Sequence, residues 1–196
     1  MLSNRQSIRL KGYDYSQSGL YFVTICSENR EHIFGHIVGA DPCVRPSIDP
    51  CVRPSMDLND CGKIIKKWLN KIPNKFNVVL DEYQIMPNHI HMIIQIVSNN
   101  GSTRGSNGNG STRGSTPTIG TIIQWFKTMV TNEYIQNVYE KKWKSFDKRL
   151  FQRNYYEHII HNETELNQIR EYIQQNPLMW ERDRNNPDCK LIAQIK

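Results

Sequence analysis

No run in the chain approaches the roughly 18 apolar residues needed to span a bilayer, so no segment reads as a membrane span. The first stretch, Met1 to Lys11, carries Arg5, Arg9 and Lys11 without the apolar core of a secretion signal, which makes the cytoplasm the expected location. Paired cysteines are missing too. The five present, Cys26, Cys43, Cys51, Cys61 and Cys189, contain no C-x-x-C, and an odd number argues against a disulfide framework. Apolar residues are few, at 38%, which two low-complexity stretches partly explain. Positive charge is in modest excess, with 25 Lys and Arg against 19 Asp and Glu and a net charge of +6. That balance favours a polyanionic partner, because neutralised phosphates release counterions, but by itself it does not separate a nucleic-acid binder from a merely basic protein.

At 196 residues the chain is expected to form one domain, residues 1–196. Two tandem repeats interrupt it. DPCVRPSI at Asp41–Ile48 is followed by DPCVRPSM at Asp49–Met56, and GSTRGSNGN at Gly101–Asn109 by GSTRGSTPT at Gly110–Thr118. Such Pro-rich and Gly/Ser-rich pieces bury too little apolar surface to offset chain entropy, so 41–56 and 98–118 read as loops. The remainder has a regular rhythm. Leu20–Cys26 (LYFVTIC) is β-branched and aromatic, hence a strand. Asp57–Leu69 has helical periodicity through Leu58, Cys61, Ile64, Ile65, Trp68 and Leu69, with Pro73 closing the segment. Phe76–Met86 and His89–Val97 read as strands joined by a Pro87-Asn88 turn, and Ile119–Val138 as a helix. Arg149–Arg153 is expected as a short edge strand and Glu163–Gln175 as a last helix begun by Asn162 or Thr164. The order predicts an α+β, ferredoxin-like β-α-β-β-α-β sheet with helices on one face and an added C-terminal helix.

His89-Ile90-His91 is the sharpest chemical feature. Side chains alternate along a strand, so both imidazoles point to one side and Ile90 to the other. Two such rings can share a divalent ion. The same spacing also describes two polar residues on the wet side of a half-buried strand, and a metal reading needs a third ligand from elsewhere. Tyr172-Ile173-Gln174-Gln175-Asn176-Pro177 is the second feature. Residues four apart share a helix face, so Tyr172 and Asn176 can reach one site. A phenolate can attack phosphorus, and the Asn176 amide oxygen can complete a hard-cation shell. The alternative makes Tyr172 a packing aromatic and Asn176 a helix cap before the proline. Tyr155 and Tyr156 are rival nucleophiles by residue type, but read as packing or DNA-stacking residues. His158 and His161 read as core or solvent residues.

MPNHIHMII (Met86–Ile94) and EYIQQNP (Glu171–Pro177) together resemble the REP-associated tyrosine transposases of the HUH superfamily. RLFQRNYYEHIIHNETEL (Arg149–Leu166) between them and GLYFVTICSENREHIFG (Gly19–Gly35) extend the resemblance over nearly all of the chain outside the repeats and the extreme C-terminus. The resemblance implies a metal-dependent single-stranded DNA endonuclease and strand transferase. His89 and His91 become ligands of Mg²⁺ or Mn²⁺, Tyr172 the nucleophile that takes a 5′ phosphate, and Asn176 the polar helper four residues on. The covalent link conserves the phosphodiester energy, so no nucleotide cofactor is needed.

The implied partner is single-stranded DNA with palindromic hairpins, bound by a monomer or homodimer. Candidate DNA contacts are Arg5, Arg9, Lys11, Lys127, Arg149, Arg153, Tyr155 and Tyr156. Lys141, Lys142, Lys144 and Lys148 lie among Trp125, Trp143 and Phe151, a mixture that suits single strands and equally a solvated charged face over a packed aromatic core. A hairpin-binding regulator that does not cut is the competing expectation, and a relaxase or replication initiator ranks third because the chain lacks a helicase segment.

Overall fold

The computed structural model describes residues 18–39, 54–97 and 117–189. Arg5, Arg9 and Lys11 and most of both repeats lie outside them. Four strands form an antiparallel sheet: β1 (Gly19–Cys26), β4 (Val78–Ile85), β5 (His89–Ile96) and β6 (Tyr156–Ile160), in the order β4-β5-β1-β6. A separate two-stranded ribbon pairs β2 (Gly35–Val38) with β3 (Ser55–Leu58). The helices are α1 (Asp60–Leu69), α2 (Ile72–Phe76), α3 (Ile119–Lys141) and α4 (Glu163–Gln175).

Strand parity sorts the side chains into two apolar layers. Tyr21, Val23 and Ile25 of β1 and Ile90, Met92 and Ile94 of β5 face α1 and α3, whose Ile64, Ile65, Ile122, Ile123 and Phe126 fill the same core. Each such fully buried aliphatic contributes about 1.5–3 kcal/mol. The opposite face is smaller: Phe22, Ile93 and Ile160 of the sheet meet Leu166 and Ile173 of α4. The chain is therefore a mixed α+β structure with helices on an antiparallel sheet. No helix among the described residues is long and apolar enough to cross a membrane.

Several local expectations need correction. Asp57 and Leu58 are not helical: they belong to β3, Asn59 caps α1 by accepting the Gly62 N–H, and Ser55 and Met56 leave the first repeat for that strand. Pro73 does not end a helix but sits in the first turn of α2, where its missing N–H costs nothing, and Asn77 closes α2 in the left-handed region. The edge strand is Tyr156–Ile160, not Arg149–Arg153, of which Phe151 alone makes an isolated bridge, to Ser27. The displaced segment is held by Lys127, whose Nζ donates to the carbonyls of Gln152 and Asn154 at 2.8 and 3.2 Å. His158 lies on β6 with its Nε2 2.6 Å from Glu165 Oε1, and Asn162 is the residue that caps α4.

Burial pushes the Lys127 ammonium down to about 8. Lys127→Met keeps the stem but strips those carbonyls of their donor, an orphaning that costs about 1–3 kcal/mol. Urea unfolding at neutral pH should show a loss of that size. An unchanged midpoint would mean the segment holds itself.

Candidate active site

The site is built on the face of the sheet that carries α4. β5 enters it directly from the Pro87-Asn88 turn, so His89 and His91 lie on this face with Ile90 in the core behind them. Both rings are buried, with Nε2 atoms 3.0 Å apart. Their Nδ1 atoms are held on the far side. His89 Nδ1 lies 2.8 Å from Asn88 Oδ1, and His91 Nδ1 lies 2.9 Å from the hydroxyl of Thr24, its partner on β1.

The Asn88 contact fixes a tautomer. Both Asn88 Nδ2 protons are spent on the carbonyls of Arg30 and Asn185, at 3.0 and 2.8 Å. Its Oδ1 must therefore accept, so the His89 proton sits on Nδ1 and the Nε2 lone pair faces inward. The turn that offers Arg30 to Asn88 is strained: Asn29 and Arg30 both have positive φ, at 54° and 57°. Non-glycine residues in that region cost on the order of 1–3 kcal/mol each, and such costs concentrate at functional sites.

A third donor comes from the far end of the chain. Past the turn Trp180–Arg182, Asp183 places Oδ2 3.6 Å from His89 Nε2, while its Oδ1 accepts the Asn185 N–H at 2.6 Å. One donor atom each from His89, His91 and Asp183 lies within 4.8 Å of the others. α4 supplies the remaining groups. The Tyr172 hydroxyl is 3.3 Å from His91 Nε2, and its ring sits edge-on to Phe22 and His91. Asn176 is buried one turn on, with Oδ1 among the buried side-chain atoms that have no hydrogen-bond partner.

These residues fit a divalent cation. The 3.0 Å between the two Nε2 atoms is the spacing of neighbouring donors each about 2.1 Å from one octahedral ion. Burial holds the His89 imidazole down to about 3, with Arg30 adding to the effect, and holds His91 well below the usual range, with His89 adding to it. Two neutral rings cannot neutralise the buried Asp183 carboxylate, and the Asn176 oxygen lacks a partner. A cation held by His89, His91 and Asp183 would neutralise that carboxylate and take up the inward lone pairs.

Burial also raises the Tyr172 phenol, as does the charge of Asp183, against the opposing pull of an Asn176 hydrogen bond and the Arg184 charge. A phenol so placed is protonated at neutral pH.

The depressed His89 value carries a pH consequence for the metal-free protein. Its folded pKa lies below the ordinary value of about 6.5, so as pH falls the unfolded chain takes up the proton first. This contribution to stability is intact above about 6.5 and is lost on descent toward about 3. Unfolding free energies at pH 7 and pH 4.5 should therefore differ more in the wild type than in His89→Gln. An equal difference would place the acid sensitivity elsewhere.

Above these groups opens a cleft of about 1130 Å³, lined by His91 and Tyr172 and also by Phe22, Tyr155, Tyr156 and Met179. Of the residues expected to touch DNA, Tyr155 and Tyr156 face this cleft. Arg149 and Arg153 are exposed outside its lining, and Lys127 holds main chain beneath it. Three arginines not singled out in the sequence, Arg30, Arg182 and Arg184, line the cleft, and Arg30 is braced by a 2.9 Å bond to the Arg184 carbonyl. Asp183 and Thr24 were also missed. Thr24 was reachable, since it shares strand parity with Phe22 and sits opposite His91. Asp183 follows the last regular helix, and no spacing rule points to it.

No protein-family model matches the chain. A Haemophilus influenzae protein described as uncharacterized is 40% identical over 192 residues, spanning 93% of each chain. Among solved structures, a REP-associated tyrosine transposase bound to a REP hairpin superposes with a TM-score of 0.53 at 14% identity, over 88% of this chain and 74% of that one. The chain thus belongs to one family with the Haemophilus influenzae protein, and its fold is similar to that of a REP-associated tyrosine transposase.

Proposed function

We propose that the chain is a metal-dependent, single-tyrosine nuclease and strand transferase that acts on single-stranded DNA beside hairpins. The observation that carries this reading is the 3.3 Å approach of the Tyr172 hydroxyl to His91 Nε2, where the buried donors His89, His91 and Asp183 converge. The frame is a ferredoxin-like β-α-β-β-α-β arrangement with the tyrosine on an added C-terminal helix. The sheet order β4-β5-β1-β6 with all neighbours antiparallel supports it. A DNA hairpin as partner draws support from the neighbour's bound REP hairpin.

His89, His91 and Asp183 would hold Mg²⁺ or Mn²⁺, with Asn176 Oδ1 available to the same ion. When bound, such an ion supplies Lewis-acid polarisation of the scissile phosphate. Asn88 and Thr24 keep the two imidazoles turned inward. Tyr172 attacks phosphorus: the Tyr172 Oη–P bond forms, the P–O3′ bond breaks, and the electron pair leaves with the 3′ oxygen, which ends as a free hydroxyl. The phenolic proton passes to solvent water as the new bond forms, water protonates the departing 3′ oxygen, and the Asn176 hydrogen bond and Arg184 charge favour the deprotonated phenol. Attack by another strand's 3′-OH reverses the step and rejoins DNA, with no nucleotide cofactor. Arg30, Arg182 and Arg184 can pair with backbone phosphates, while Phe22, Tyr155, Tyr156 and Met179 offer surfaces for unpaired bases. We place the protein in the cytoplasm, as a monomer or homodimer.

Labelled single-stranded hairpins from DNA flanking the gene, incubated with Mn²⁺ or Mg²⁺ and resolved on a denaturing gel, test the reading. Cleavage that chelator abolishes is expected. Tight binding without cleavage in either metal would identify a hairpin-binding regulator instead.

A further inference from the structure

α4 rests on a small apolar seat, in which Leu166 and Ile173 are buried against Phe22, Ile93 and Ile160, with Leu20 and Ile169 partly covered. Apolar contact is non-directional. It holds the helix down but does not set its roll about its own axis. A polar pair at the edge of the sheet does.

Between Leu80 and Tyr83 the β4–β5 register shifts. Leu80 pairs with Ile94 and Tyr83 with Met92, so Asp81 and Glu82 together oppose the single residue Ile93. This bulge turns both acidic side chains toward the face that Ile93 shares with α4. There Arg170 grips Asp81 through two parallel bonds, Nε to Oδ1 at 2.8 Å and Nη2 to Oδ2 at 2.6 Å. One turn on, Gln174 Nε2 donates to Glu82 Oε2 at 3.1 Å. By helical spacing Arg170 and Gln174 lie on one flank of the buried Leu166–Ile173 row, and Tyr172 and Asn176 lie on the other. A roll that slackens one flank therefore moves the other. At a helix radius of about 5–6 Å with side chains, a 10° roll shifts the tyrosine by about 1 Å. A misplacement of that size costs on the order of 100-fold in rate.

We propose that the Arg170–Asp81 pair, seated on the β4 bulge, is a positioning device that sets the roll of α4 and so holds the Tyr172 hydroxyl at the His89/His91 centre. The proposal rests on Tyr172 being the nucleophile, but it makes a claim about geometry that can be read without cleavage. The fork geometry matters because a bidentate guanidinium–carboxylate pair fixes direction as well as distance, which a lysine ammonium does not.

The test uses the full chain with Asp81→Asn and Arg170→Lys. Single-turnover cleavage of a hairpin that the wild type cuts and the Kd for that hairpin are measured separately. Each protein also carries 3-fluorotyrosine in place of tyrosine, with the Tyr172 resonance assigned from Tyr172→Phe. The expected result is cleavage 10- to 100-fold slower, a Kd within about 3-fold of wild type, and a fluorine resonance at Tyr172 that splits or broadens. Restored rate in the exchanged pair Asp81→Arg with Arg170→Asp would strengthen the assignment. Wild-type cleavage rates with an unchanged single resonance would overturn it, as would a rate loss matched by an equal loss of DNA binding. If Asp81→Asn fails to fold, Arg170→Lys, which keeps the charge, is read in its place. If the wild type itself does not cleave, the proposed function fails, and the fluorine spectra alone decide whether the pair sets the tyrosine.

Discussion

Tyr172→Phe is expected to lower strand cleavage by at least about 10⁴-fold, the scale seen when a covalent nucleophile is removed, while DNA affinity changes little. The ring itself should stay in place. Its centroid lies 6.1 Å from Phe22 and 5.2 Å from His91, contacts that phenylalanine reproduces. What disappears is the one oxygen 3.3 Å from His91 Nε2. The residue is half-exposed and lines the cleft, so water can take over the hydroxyl's contacts with His91 and Asn176 and the stability penalty stays small. Single-turnover gels with matched binding isotherms check this. Tyr156 is the competitor to exclude, since it is similarly exposed and its ring lies 6.3 Å from Phe22. Persistent cleavage in Tyr172→Phe would transfer the role to Tyr155, Tyr156 or a water molecule.

The second large effect concerns the ion and needs no DNA. His91→Gln should weaken Mn²⁺ binding by at least about 100-fold, because even losing an outer partner of a ligand costs about 10- to 100-fold. His91 Nε2 also lies 3.3 Å from the Tyr172 hydroxyl, so cleavage should fall with it. Thermal unfolding gives an independent readout. A ligand that binds only the folded state adds about 2.7 kcal/mol at 100 times its Kd but only about 0.4 kcal/mol at its Kd, so Mn²⁺ at 100 times the wild-type Kd should raise the wild-type Tm and barely move that of His91→Gln. Thr24→Val, which removes the hydroxyl 2.9 Å from His91 Nδ1, is expected to fall between them. Equal Tm shifts in all three proteins would mean that the ion binds elsewhere.

How far the sequence could be read depended on whether the signal was local. β5 and α4 were legible because each carries its own periodicity and punctuation: an alternating run after Pro87-Asn88, and a helix capped by Asn162 and closed before Pro177. Those two elements and the Asn176 cap that follows α4 carry His89, His91, Tyr172 and Asn176, so most of the candidate site lay in local pattern. The ribbon of β2 and β3 was not legible, since each strand is four residues long and pairs across the first repeat. The edge strand was misplaced onto Arg149–Arg153 because a distant residue decides that segment: Lys127 ties the Gln152 and Asn154 carbonyls. Asp183 was hidden for the same reason. Its place beside His89 is set by the Asn88–Asn185 and Arg30–Arg184 contacts, which link residues more than ninety positions apart. The Asp81–Arg170 pair depends on a bulge, and no residue pattern announced it.

The most direct test of the central claim is to find where the DNA becomes attached. After reaction with Mn²⁺ and a cleavable hairpin, nuclease trimming and tryptic digestion, mass spectrometry can locate the residual nucleotide. Cleavage after Arg170 and Arg182 releases Glu171–Arg182, in which Tyr172 is the only tyrosine, while Tyr155 and Tyr156 fall on the peptide that ends at Arg170. A 5′-nucleotide mass is expected on the Tyr172 peptide, absent when chelator is present. An adduct on the Tyr155/Tyr156 peptide, or cleaved DNA with a free 5′ phosphate and no adduct on either, would contradict it.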